Sequence, residues 1–129
     1  MEIRKIKIND REYEFINESR STRSGFAHDT TVFRNGCEIE THTCHYLNRT
    51  WECYTYQTVM YGAMNDLIHY RTERLTNQFK ADKGYNKLTA KRKEELKPFL
   101  ENDSLLREYK AVKECLQYHN MNEVKNALL

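Results

Sequence analysis

The densest collection of reactive side chains in this chain of 129 residues is His42, Cys44, His45 and Cys53, all in one short run. Thiolate and imidazole are the ligands that zinc prefers in tetrahedral sets, so these four are the candidate metal residues and zinc the candidate cofactor. Their spacing is not the C-x2-C of a zinc ribbon or finger, so such a site has to be assembled by the fold. The same side chains raise nucleophilic catalysis, because Asp29 joins them if the strands pair as expected below. No glycine elbow or family signature surrounds any of the cysteines. Asp29 beside His42 reads equally well as a cross-strand pair on a wet surface, worth well under ~1 kcal/mol. No nucleophile, base and orienting group can be named together, and no glycine-rich phosphate loop occurs. The reading is non-enzymatic.

A second group could bind rather than react. Arg20 and Arg23 lie in a polar run at residues 19–25 (SRSTRSG), and Arg49 stands beside Trp51, with Tyr46, Tyr54 and Tyr56 interleaved. Tyrosine presents a large contact area with few rotatable bonds, and arginine and tyrosine together suit a protein surface or unpaired bases. These make Arg20, Arg23, Arg49, Tyr46 and Tyr54 the candidate partner-binding residues. Lys91, Arg92 and Lys93 are followed at once by Glu94 and Glu95, the pattern of a solvated helix face. The formal charge of +2 argues against a dedicated binder of the phosphate backbone. Direct nucleic-acid binding through a local basic patch is the alternative. No apolar run approaches membrane-spanning length, and the first residues (MEIRKIKIN) lack the apolar core of a signal peptide. A cytoplasmic location follows as the expectation, with Cys37, Cys44, Cys53 and Cys115 kept as thiols.

The elements that must position these residues can be read in order. Residues 1–8 and 12–16 alternate apolar and polar around Asn9-Asp10, which predicts a first hairpin. Residues 19–25 read as a polar loop. Asn35-Gly36 then joins residues 26–34 to 37–46, the strongest short hairpin signal available, since both central residues of a type I′ turn need φ > 0. A uniform register from that turn places Val32 opposite Ile39 and Asp29 opposite His42. Phe26, His28, Thr30 and Val32 then share the buried face with Ile39, Thr41, Thr43 and His45, while Glu38, Glu40, His42 and Cys44 face water with Asp29. From residue 50 or 51 a helical period takes over, with Met60, Met64, Leu67, Ile68, Leu75 and Phe79 on one stripe, and Gly84 stops it. Thr89 caps a short helix that Pro98 should bend or break. Asp103 or Ser104 caps a third helix with Leu105, Tyr109, Val112 and Leu116 inward, and Asn120 or Asn122 opens a last turn. The expectation is a single α+β domain over 1–129. It has an antiparallel sheet of about four strands in two hairpins (1–47), followed by one long helix and two or three shorter ones (50–129).

Residues 21–28 (STRSGFAH), 44–52 (CHYLNRTWE) and Tyr56-Gln57 resemble a group of small proteins of phages and mobile elements. That setting includes the type II anti-CRISPR proteins, which inhibit Cas9. The resemblance spans about residues 8–57. It implies a non-enzymatic inhibitor that docks in the bacterial host cell on Cas9 or its guide-RNA complex, and blocks DNA loading, guide RNA or nuclease movement. At least one inhibitor of that kind binds metal, which favours zinc here. A near-neutral charge fits docking on a protein surface better than acidic mimicry of DNA.

Overall fold

Alternation of apolar and polar residues organises the first half of the chain. In the computed structural model, which describes residues 1–47 and 56–116, four strands form one antiparallel sheet. They are β1 (Glu2–Ile8), β2 (Arg11–Thr22), β3 (Gly25–Arg34) and β4 (Cys37–Leu47), in the order β1-β2-β3-β4. The turns at Asn9-Asp10 and Asn35-Gly36 have φ of 46° and 67°, and 49° and 82°, so all four central residues are left-handed. That is the turn whose twist matches the flanking strands.

Two expectations about the sheet are corrected. Residues 19–22 are strand, not loop: they continue β2 and pair with residues 25–28, from Ser19 opposite His28 to Thr22 opposite Gly25. The partner strand satisfies their backbone groups while the side chains stay at the surface, so their polarity is no obstacle to pairing. This pairing merges the two hairpins into a single meander. The second correction concerns β4. Phe33 lies opposite Glu38 but Val32 lies opposite Glu40, so Ile39 is an extra residue, a β-bulge. Beyond it the register moves by one residue, and His42 stands opposite Thr30 while Asp29 stands opposite Thr43. Because side chains alternate, that shift sends every later residue of β4 to the other face.

One face of the sheet is covered. Ile6, Ile8, Tyr13, Phe15 and Val32 are buried there beneath Met60, Ala63, Met64 and Leu67 of α1 (Tyr56–Lys83). Tyr109, Val112, Cys115 and Leu116, on or just after α3 (Ser104–Cys115), complete the core. The α2 helix (Ala90–Glu101) stacks Phe99 on Phe79 of α1, with ring centroids 5.6 Å apart. Pro98 does not break α2: the helix runs through it to Glu101. Only one turn follows the proline, so one missing N–H near an end costs little. The caps match the residue types. Thr89 accepts from the Arg92 N–H, Asp103 accepts from the Leu106 N–H at 2.8 Å, and Gly84 (φ 72°) ends α1. The expected last turn at Asn120 or Asn122 lies outside the described residues.

Two ionic fasteners hold helices in place. Glu108 of α3 accepts from the fully buried Tyr13 hydroxyl and from Arg34 Nε at 2.7 Å, tying α3 to β2 and β3. Burial, then the Glu108 hydrogen bond and charge, pushes the Tyr13 hydroxyl far up, so it stays a donor. Asp103 caps α3 and also accepts two hydrogen bonds from Arg71 of α1, at 2.7 and 3.0 Å. The Arg71 guanidinium holds the Asp103 carboxyl below the usual carboxylate range, against some opposing burial. A depressed folded-state pKa contributes stability above the unfolded value of about 3.9 that is lost as pH falls through the folded value. Asp103→Asn, which keeps a capping side chain, should therefore flatten the acid limb of melting temperature against pH below about pH 4. Asp103→Ala should cost a further ~1 kcal/mol in urea denaturation for the lost cap.

A polar row beneath the first long helix

The bulge gives β4 its unexpected chemistry. Past Ile39, the residues that turn toward the helices are Glu40, His42 and Cys44, at i, i+2 and i+4, in rows with Val32, Thr30 and His28. These are the residues expected on the wet face. The covered face thus has an apolar end, at Ile6, Tyr13, Phe15 and Val32, and a polar end. At the polar end Asn17 and Thr30 are fully buried and satisfy one another, with Thr30 Oγ1 donating to Asn17 Oδ1. Asn17 Nδ2 in turn donates to Glu2 at 3.2 Å.

His42 is held from two sides. Its Nδ1 lies 2.5 Å from Asp66 Oδ2 of α1, and its Nε2 lies 3.5 Å from Cys44 Sγ. A carboxylate at Nδ1 favours the tautomer that carries its proton there, leaving the Nε2 lone pair directed at the thiol. Gly62, one helical turn before Asp66, makes room for the ring: a Cβ at position 62 would stand 2.5 Å from His42 Nε2. Glycine inside a helix costs about 1 kcal/mol relative to alanine, and here the close approach of the imidazole supplies the reason. Burial, and secondarily the charge of Asp66, pushes the Cys44 thiol above its ordinary range. Burial likewise raises Glu40, opposed by a hydrogen bond from the Thr41 N–H and reinforced by Asp66. Among the described residues Glu40 Oε2 finds no hydrogen-bond partner. On the far side of Cys44, Ser19 Oγ lies 2.6 Å from His28 Nδ1 and 3.0 Å from the Tyr56 hydroxyl.

Asp29, expected beside His42, is on the opposite face. It accepts from Thr43 Oγ1 at 2.5 Å and from Arg20 Nε at 2.9 Å. Burial raises its carboxyl, but those two hydrogen bonds and the charges of Arg20 and His45 outweigh that and hold it low. Of the candidate metal residues, His42 and Cys44 come together, whereas His45 is exposed on the open face. Cys53 lies outside the described residues. Among the described residues no group of three or more His, Cys, Asp and Glu side chains is placed to hold a metal ion. Of the candidate partner-binding residues, Arg20 lies on the open face and Arg23 in the β2–β3 turn, both exposed. Arg49 and Tyr54 lie outside the described residues, as does the side chain of Tyr46.

Sequence reading missed Asp66 and Gly62. Their only signal is the four-residue interval that sets both on one helix face, and nothing in the chain pairs that face with His42 rather than another strand residue. Compared with known proteins, the chain matches no family model, no curated protein and no solved structure.

Gly62→Ala should lower the melting temperature although alanine is the better helix former. In a double-mutant cycle with His42→Ala, measured by urea denaturation, the two changes should couple by about 1 kcal/mol or more, because removing the ring removes the clash.

Proposed function

We propose that this chain works stoichiometrically, by docking the open face of its sheet on a protein surface, and that the protein is a Cas9 nuclease or its guide-RNA complex. The observation that carries the docking is the one-sidedness of the fold: the helices that meet the sheet, α1 and α3, pack on one face of strands up to 12 residues long, and α2 packs on α1. The opposite face carries a central row of Ile3, Ile16, Thr31 and Thr41, with Ile3 49% exposed. Charged rows flank it, and their charges are largely matched internally. Lys5 lies 3.5 Å from Glu14, and Arg20 pairs with Asp29. A centre of isoleucine and threonine inside a largely neutralised polar rim matches the anatomy of a protein–protein contact. A phosphate backbone calls for uncompensated cations instead. The resemblance of residues 21–28 and 44–52 supplies the class of target, and the absence of acidic bias favours blocking a protein surface over imitating DNA.

The test is titration of the purified chain into Cas9 ribonucleoproteins of plausible bacterial hosts, reading complex formation and DNA cleavage. The expected result is a complex of fixed stoichiometry and inhibition that saturates at that ratio. Thr31→Arg and Ile3→Glu, at surface positions, should weaken binding by at least ~10-fold with melting temperature unchanged. Absence of binding and inhibition across those nucleases sinks the target. Undiminished binding by both variants sinks the sheet face as the contact.

A further inference from the structure

The Cys44–His42–Asp66 series lies on the helix-covered side of β4, away from the proposed docking face, and that proposal leaves it unused. We propose that Cys44 is a nucleophile for acyl transfer from a small activated ester or thioester, with His42 as its general base and Asp66 as the residue that positions the imidazole. Three independent features point there. The sulfur and Nε2 are 3.5 Å apart, within reach for a thiol hydrogen bond. Asp66 Oδ2 occupies Nδ1 at 2.5 Å, so the nitrogen facing sulfur is left with its lone pair. Gly62 lacks the one atom that would push the ring aside. A hydrogen-bonded fastener between helix and strand needs His42 and Asp66 but has no use for a thiol at the second nitrogen.

The step balances without an added co-reactant. Cys44 Sγ forms a bond to the carbonyl carbon while its proton passes to His42 Nε2. Collapse of the tetrahedral adduct breaks the bond from that carbon to the leaving oxygen or sulfur, which takes the proton back from His42. The products are S-acyl Cys44 and the free alcohol or thiol. Burial and the Asp66 charge hold the resting sulfur in its protonated form, so spontaneous thiolate attack in neutral water is suppressed and a base at the sulfur decides the rate. Among the described residues, Glu40 on the same strand, His28 across on β3 and Tyr56, whose ring packs on that of His28, are further titratable groups on this side of β4.

The chain contains its own reference thiol, since Cys37 is exposed at the hairpin turn and Cys115 is buried with its thiol pushed up to about 11. The experiment treats the full chain with p-nitrophenyl acetate at neutral pH and maps acetyl groups on each cysteine by mass spectrometry over time. Cys44 should acetylate faster than Cys37, on the order of 10²-fold. Its reaction should slow in D2O, because a proton moves in the rate-limiting step, whereas attack by a preformed thiolate shows no such slowing. Asp66→Asn should abolish most of the advantage of Cys44 over Cys37, together with the isotope effect, and Cys44→Ser should remove the adduct. Acetylation of Cys44 no faster than Cys37, or a fast reaction with no isotope effect, overturns the proposal. Those two readings come from the native chain, so they decide the matter even if Asp66→Asn does not fold. Neither involves Cas9, so this inference and the docking proposal fail separately.

Discussion

The structure depends on one constraint: a four-stranded antiparallel sheet with most of its large apolar side chains on one side must be covered on that side. Each fully buried large apolar side chain contributes roughly 1.5–3 kcal/mol, and most of those available sit in two places. Ile6, Ile8, Tyr13, Phe15 and Val32 supply the sheet half, and Met60, Ala63, Met64 and Leu67 supply the helix half. With 39% hydrophobic residues the chain has little apolar material to spare, so α1 is committed to that face and α3 follows it. The Tyr13–Glu108–Arg34 cluster is the polar counterpart: it satisfies a tyrosine hydroxyl that the packing buries, and it fixes where α3 lies.

Covering the sheet has a consequence for its polar end. α1 is 28 residues long and passes over more than the apolar patch, so part of it meets Glu40, His42 and Cys44. Those groups cannot be left dry and unpaired without a penalty of about 1–3 kcal/mol each. Asp66 answers His42, and Gly62 lets the ring approach. The arrangement that satisfies an imidazole under a helix is the same one that orients it toward a thiol. Packing and reactivity therefore share their residues, and a change at position 62 or 66 reaches both.

The two faces divide the work proposed for this protein. The open face, with paired charges around Ile3, Ile16 and Thr31, carries the proposed contact, because among the described residues α1 and α3 cover the other side. The covered face holds the core and the Cys44 row. A contact on one side and a thiol on the other can be changed independently, since side chains that alternate along a strand do not share neighbours across the sheet.

The residue string by itself determined the local decisions. Asn9-Asp10 announced a turn and Asn35-Gly36 a left-handed one; Thr89 announced a cap, and Asp103 was one of two neighbouring candidates for another; Gly84 announced the end of α1. The α+β class, the stripe of Met60, Met64 and Leu67, and the burial of Thr30 and Val32 followed from periodicity, because each depends on neighbours a few residues away. Tertiary structure alone decided which face His42 and Cys44 occupy. Ile39 packs against the core as an extra residue in β4, and a single inserted residue inverts every side chain beyond it. No local signal marks that bulge: it reflects the fit of Ile39 into a core built partly by residues some thirty and seventy positions later. The pairing of His42 with Asp66, and the space left by Gly62, follow from the same long-range fit, which is why periodicity placed the histidine in water and the fold placed it under a helix.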